Sequence, residues 1–323
     1  MQILNHPTQV EIKKSAKALK DGNLVAFPTE TVYGLGADAS SKKAVSRMYA
    51  AKARPTGHPV IVHISSVDKL DKWAINVPDY AMKLAANYWP GPITLILNRS
   101  DIAQDFITGS QDKVGIRIPA HPIALELLYE FERIGGLGIA APSANRFGSV
   151  SATTAKAVVA EVGKYLGGLD LVLDGGQCLV GVESTIVDCT QPIPIVLRPG
   201  AITSEMINSV TASKVDIQKN SASTKASGLL RSHYSPKARV VLNGKAESQD
   251  GFIAMSSFPT PLGAIRLASP TNISEYAQEL YEALRFGDSI NLKRIIVFPP
   301  EGDGLAEAVR DRLGKAAQGQ IKN

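Results

Sequence analysis

Cysteine is scarce in this chain. There are two in 323 residues, Cys178 and Cys189, and no CxxC. A disulfide scaffold is excluded on that count, and a cysteine-built zinc site has no ligand pattern to rest on. Both thiols fit small buried groups in strands or turns. Aromatics are few as well, at 6%, and no strand interleaves them with basic residues as an RNA-recognition sheet would. No apolar run approaches bilayer-spanning length. Near the N-terminus Glu11, Lys13 and Lys14 stand where a signal peptide needs an apolar core, so a cytoplasmic location is expected. The chain lacks a G-x-G-x-x-G fingerprint, a P-loop, a G-x-S-x-G elbow and any Cys/His pair at an informative spacing. Dinucleotide binding through that fingerprint and covalent nucleophile chemistry thus have no local support. Internal repeats are absent too.

What is present is ordinary globular material, with 44% hydrophobic and 20% charged residues. The length is enough for two domains with separate cores. The formal charge of +5 fits an anionic small substrate, loose contact with nucleic acid, or simply a solubilising surface.

One stretch organises the rest, from Phe27 to Ile64. Leu24 to Phe27 reads as a strand stopped by Pro28, which cannot donate to a ladder. A hydroxyl-rich turn follows, Thr29-Glu30-Thr31, then Tyr33-Gly34-Leu35-Gly36, whose glycines allow close backbone approach to a ligand. Ala44, Val45, Met48 and Tyr49 repeat at helical spacing, and that helix delivers Lys52 and Arg54 before Pro55. Val60 to Ile64 is a second strand, with Ile61 and His63 on one face. A β-loop-α-loop-β unit with hydroxyls, cations and histidines at its loops is a common anion-binding arrangement. Cations at a helix end equally complement its dipole, so the unit alone decides nothing.

Elsewhere in the N-terminal half, Thr8 to Glu11 fits a capping box opening a helix that ends at Gly22. Helices are expected over Asp79–Tyr88, Pro122–Arg133 and from Thr153 to Leu166. Strands are expected over Ile93–Leu97, Val114–Ile118, Gly138–Ala141, Leu169–Leu173, Ser184–Asp188 and Ile195–Leu197, with Asp101–Asp112 and Pro142–Ser151 as loops. This alternation predicts a mixed α/β sheet. Around Ser213 to Ser227, Ser, Lys, Thr and Asn dominate and apolar periodicity fades, a linker signature. Four further strands and two helical stripes, on Ile273 to Leu284 and Leu305 to Leu313, predict a small C-terminal α/β domain. The expected boundaries are 1–210, 211–237 and 238–323.

The blocks PTETVYGLG and KARPTGHPVIVHI resemble the YrdC/Sua5 family, the L-threonylcarbamoyladenylate synthases. The order of later blocks makes the resemblance specific: YWPGPITLIL (Tyr88–Leu97), GIRIP (Gly115–Pro119), APSAN (Ala141–Asn145), ESTIVD (Glu183–Asp188) and LRPG (Leu197–Gly200). GLLRSHYSPKA, Gly228 to Ala238, looks like the linker of the longer, Sua5-type members. The resemblance implies a YrdC-like mixed twisted sheet with a large concave cleft, a linker crossing it, and a smaller three-layer, Rossmann-like α/β Sua5 C-terminal domain.

It also implies a reaction. L-threonine, bicarbonate and ATP give threonylcarbamoyl-AMP and pyrophosphate, for threonylcarbamoyladenosine formation at position 37 of certain tRNAs. The enzyme class is a nucleotidyltransferase. A carboxylate, a carbamate and a triphosphate must share one pocket, and cations and backbone donors must offset their repulsion. By family pattern Lys52, Arg54 and Arg117 carry catalysis. Thr31, His63, Arg117, Ala141 and Ser184 bind threonine, Arg117 facing its carboxylate as a planar fork. Arg54, His58, Lys113, Ser143, Ser151, Arg198 and Tyr234 bind ATP, although family members often carry Asn where His58 stands. Tyr234, in Ser232-His233-Tyr234-Ser235-Pro236, is expected to fold over the phosphates. Mg2+ is expected to arrive with ATP, with no protein metal site. A downstream tRNA threonylcarbamoyl transferase complex is the implied partner; a monomer or weak dimer is expected, and direct tRNA contact stays open. Two other readings compete: an RNA-binding factor using a YrdC-like concave face, and a carbamoyl-transfer enzyme of the hydrogenase-maturation kind. The latter should carry paired CxxC motifs, which this chain lacks.

Overall fold

The computed structural model describes residues 1–212, 215–217, 224–226, 228 and 233–318. Of the expected linker, 213–214, 218–223, 227 and 229–232 lie outside the described residues, as does the expected domain end at 319–323.

The N-terminal elements are β1 (Gln2–Asn5), α1 (Gln9–Lys20), β2 (Val25–Phe27), β3 (Gly34–Asp38), α2 (Lys42–Lys52), β4 (Ile61–His63), α3 (Leu70–Trp73), β5 (Ala74–Ile75), α4 (Asp79–Tyr88), β6 (Ile93–Arg99), α5 (Asp105–Thr108), β7 (Lys113–Arg117), α6 (Pro122–Arg133), β8 (Ile139–Ala140), α7 (Ala155–Val162), β9 (Leu171–Asp174), β10 (Thr185–Asp188), β11 (Ile195–Arg198), α8 (Ser204–Thr211) and β12 (Asp216–Ile217). Then come β13 (Arg239–Leu242), β14 (Gly251–Ile253), β15 (Ile265–Ala268), α9 (Ile273–Ser289), β16 (Arg294–Val297) and α10 (Leu305–Gln318).

The first twelve strands form one mixed sheet in the order β1-β9-β2-β3-β8-β4-β7-β6-β10-β11-β12, with β5 paired to β6. Both faces are covered. Helices α1 and α6 pack on the side of Phe27, Ile139 and Leu173. Helices α2, α4 and α7 pack on the side of Leu35, Val62, Leu95 and Ile116. Helix α1 starts where the capping box put it: Thr8 N donates to Glu11 Oε2 at 2.8 Å.

The structure departs from the sequence reading at several places. The Gly34–Gly36 segment is not an open turn but strand β3. A Cβ on Gly36 would lie 2.9 Å from both Ile139 Cγ2 and Phe27 Cε1, so glycine is there for strand packing rather than for a ligand. The polar loop 101–112 contains the single turn α5, and α7 begins two residues later and ends earlier than its apolar pattern suggested. Strand β1 and helix α8 were not anticipated. They are short and amphipathic, and tertiary contacts hold them: β1 in register with β9, and α8 against α4, with Tyr88 Oη donating to Met206 O at 2.8 Å.

The C-terminal sheet is parallel, in the order β13-β16-β14-β15. Helices α9 and α10 cover the face of Val240, Ile253, Ile295 and Val297. The other face, with Phe252, Ala254 and Ile296, packs on Ala246, Ala264 and Phe298. Both halves thus have the α/β class expected. Their cores are not independent. Val32, Val150 and Val182 of the N-terminal half share one buried cluster with Tyr276, Leu280, Leu284 and Leu313.

Candidate active site

Strand register builds the floor of the site. Parallel pairing of β4 with β7 sets His63 beside Arg117, and antiparallel pairing of β4 with β8 sets His63 beside Ile139. The chain leaving β8 brings Ala141, Pro142 and Ser143 to the same end, where Gly34 bridges Ser143. Ser184 stands just before β10, and Arg198 ends β11, the antiparallel partner of β10. His63, Arg117, Ala141, Pro142, Ser143, Ser184 and Arg198 line one cleft that opens to solvent. Arg54, His63, Arg117, Ala141, Ser143, Ser184, Arg198 and Tyr234 all face it, as do Val32, Glu183 and His233.

Thr31, Lys52, His58, Lys113 and Ser151 do not line the cleft. Lys52 is fully buried behind the wall, and its Nζ donates to the carbonyls of Ser143 and Asn145. Burial, with Arg54 nearby, holds its pKa well below the ordinary lysine value. It shapes the 143–145 loop from behind. Ser151 is also buried, its Oγ donating to Glu183 Oε1 at 2.6 Å. Thr31 pairs with Thr29 through hydroxyls 2.8 Å apart. The His58 ring stands edge-on to Phe147, 5.4 Å between centroids. Lys113 lines a smaller neighbouring cavity with Ile61, Ile96 and Ile186, its Nζ 2.9 Å from both Asp188 Oδ2 and Thr224 Oγ1.

Among the described residues, the cations that reach the cleft are three guanidinium groups. Arg117 pairs with the buried Glu30, Nη2 to Oε1 at 2.7 Å, and its Nε donates to Gly91 O at 3.3 Å. Arg54 lies over the rings of Tyr49 and Phe147, 5.8 and 5.6 Å to their centroids, while its Nη2 donates to Pro59 O. Arg198 donates from Nε to Ser184 O at 3.0 Å and from Nη2 to Ser184 Oγ at 3.1 Å. His63 is neutral: burial first, then Arg117, pushes its pKa down to about 3. Its Nδ1 is buried and has no hydrogen-bond partner among the described residues. A neutral imidazole beside a guanidinium offers a polar atom without adding charge.

Sequence reasoning assigned no role to Glu30, Glu183 or His233. Glu30 and Glu183 lie inside blocks already singled out, and the signal available was an acid beside a hydroxyl just before or after an apolar strand. Their importance follows from burial, which the sequence did not display. Burial alone would raise the Glu183 pKa, but Arg312 and Arg198 overcome it and hold it at about 2. Tyr234 adopts φ of 62°, unusual for a bulky residue. Stacking on Tyr281 at 5.9 Å and the Arg312 guanidinium over its ring hold it there. Among the described residues, no group of three or more His, Cys, Asp or Glu could hold a metal ion. No described helix is long and apolar enough to cross a membrane.

Comparison with known proteins gives the family. The Sua5/YciO/YrdC family model, described as telomere recombination, matches residues 17–200. A second, described as the C-terminal domain of threonylcarbamoyl-AMP synthase, matches residues 202–318. The threonylcarbamoyl-AMP synthase of Pyrococcus abyssi is 36% identical over 98% of this chain and 97% of its own length. That of Bacillus subtilis is 36% identical over 96% and 94%. The crystal structure of P. abyssi Sua5 complexed with L-threonine superimposes with a TM-score of 0.89 at 35% identity, covering 99% of this chain and 98% of that one. A double-alanine variant of the same protein, altered at an adjacent histidine and tyrosine, gives a TM-score of 0.87 at 35% identity, covering 99% and 97%. With both domain models matched in order and full-length relatives above one-third identity, this chain belongs to the Sua5/YrdC family, in its long form with a Sua5 C-terminal domain.

Proposed function

We propose that this chain makes threonylcarbamoyl-AMP and pyrophosphate from L-threonine, bicarbonate and ATP, as a nucleotidyltransferase. The observation that carries the reading is convergence. Arg54, Arg117 and Arg198 come from three separate sequence blocks and face one cleft, with neutral His63 beside Arg117.

Arg117 takes the threonine carboxylate as a fork, and Glu30 holds the guanidinium in plane for it. His63 and the backbone at Ala141 close the amino-acid side. Ser184 Oγ, already paired to Thr94 Oγ1 at 2.8 Å, sorts the threonine hydroxyl. Arg54 and Arg198 offset the triphosphate charge, with Ser143 and Tyr234 on the same wall. The threonine amino nitrogen bonds to the carbon of bicarbonate, water leaves, and a carbamate forms. One carbamate oxygen then attacks the α-phosphorus in line; the bond to the bridging oxygen breaks, and pyrophosphate leaves. No side chain needs to act as nucleophile, so positioning and charge neutralisation do the work. A divalent cation, Mg2+, would come as a complex with ATP and would offset the triphosphate charge together with Arg54 and Arg198. We take 1–210 as the catalytic domain, 211–237 as the linker and 238–323 as the C-terminal domain. The product serves a tRNA threonylcarbamoyl transferase complex.

The test is pyrophosphate release with each substrate omitted in turn. Release that needs ATP, threonine and bicarbonate together supports the reading. Release independent of threonine overturns it.

A further inference from the structure

Arg312 belongs to α10 of the C-terminal half and does not line the cleft, yet it is among the most deeply buried charged groups of the molecule. Its Nε donates to Glu183 Oε2 at 2.9 Å and its Nη2 to the Glu183 carbonyl at 3.4 Å. Its Nη1 bonds Asp311 Oδ2 at 2.7 Å, and its guanidinium lies 5.5 Å from the Tyr234 ring centroid. Arg198 grips the next residue in the same manner, bonding both the carbonyl and the hydroxyl of Ser184. Successive residues of the cleft wall are therefore clamped by two guanidinium groups, one from each domain. Tyr281 of α9 adds a third hold, its hydroxyl 3.2 and 3.0 Å from the two Glu183 oxygens.

We propose that Arg312 is a positioning residue for the synthase reaction: acting through Glu183, it fixes the wall that presents Ser184 and Arg198 to substrate. This rests on the function proposed above. The physical reason is that a buried carboxylate stays ionised and aimed only while it is paired. Facing Glu183 are Arg312 and Tyr281 from the C-terminal domain, Arg198 and Ser151 from the N-terminal domain, and Tyr234 and His233 between them. His233 is held neutral, its pKa pushed down to about 3 mainly by burial. Without Arg312, Arg198 is the cation left beside Glu183 among the described residues, and burial raises the carboxyl pKa.

The experiment is steady-state pyrophosphate release by the full-length native protein, Arg312→Gln, Arg312→Lys and Tyr281→Phe, from pH 6 to 9. Active-site titre and Tm are measured alongside. Arg312→Gln should show an acid limb absent from the native profile, with kcat at pH 6 at least tenfold below its value at pH 8.5. Arg312→Lys keeps a cation but lacks the planar fork that spans carboxylate and carbonyl in one fixed geometry; it should keep the native pH profile and lose about tenfold in kcat/KM. Tyr281→Phe removes one hydroxyl and decides the matter if Arg312→Gln does not fold, by a smaller acid limb. A residue with only a structural role would lower Tm and titre while leaving KM, kcat per active site and the pH profile native; that outcome overturns the inference. A native protein with no threonine-dependent release overturns the proposed function instead, so the two failures are distinct.

Discussion

At the residue scale, chemistry here depends on which charges are free to meet substrate. Arg117 is buried, paired to Glu30 through Nη2 and to Gly91 O through Nε, which leaves the remaining donors of its guanidinium for an incoming carboxylate. Replacing Arg117 by Gln should raise the threonine KM by about 10- to 100-fold, the worth of one charge-assisted hydrogen bond at about 1.5–3 kcal/mol. Initial rates against threonine at saturating ATP would check this. The buried histidines make a second prediction. His63 and His233 both have folded-state pKa values near 3, depressed from 6.5 chiefly by burial. As pH falls below 6.5 the unfolded chain takes up these protons and the folded chain does not. Their contribution to stability is full above that pH and is lost progressively down to about 3. Each removes up to about 1.4 kcal/mol per pH unit in that window. Tm should fall between pH 7 and 5, and His63→Gln should flatten the slope; an unchanged slope would show that His63 titrates normally.

Among the elements, β3 is the most instructive. Its glycines were open to close approach by a ligand because sequence shows only that a side chain is missing, not what fills the space. In the fold the space holds Phe27 and Ile139, with Val25 O 3.0 Å from where a Gly36 Cβ would stand. Gly36→Ala should therefore destabilise the protein by about 1–3 kcal/mol through overpacking, read by denaturant midpoint, rather than act as a change in substrate affinity alone. Helices with their own caps were legible: α1 has its capping box, and α6 has Pro122 in its first turn. Helix α8 was not, although Thr203 caps it by accepting from Met206 N at 3.3 Å, because its eight residues are too few to display a clear apolar period.

For the whole molecule, the two halves share a core, and their contact is tight at one turn. Gly181 has φ of +79°, and a Cβ there would sit 2.3 Å from Ala277 O and 2.4 Å from Gln278 Cα on α9. Gly181→Ala combines backbone strain with a clash, so it should part α9 from the N-terminal half. Calorimetry should then show a lower Tm and two transitions in place of one. One cooperative transition at the native Tm would mean that the halves unfold together irrespective of this contact. Thr153 Oγ1 to Glu282 at 2.9 Å and Arg285 to Glu161 at 2.8 Å line the same seam.

Sequence alone determined the class of fold and the positions of the long periodic elements, because each is written in short-range spacing of period two or 3.6, while the candidate cations came from the blocks that resemble the family. Only the tertiary structure decided how those charges are used. Lys52, adjacent in sequence to the cleft-lining Arg54 block, is committed to carbonyls behind the wall. Arg312 stands 129 residues from Glu183 and carries no motif, yet it holds that carboxylate. Burial and pairing are sums over distant neighbours, and in a low-dielectric interior such sums set which groups are charged, where they point and what they can bind.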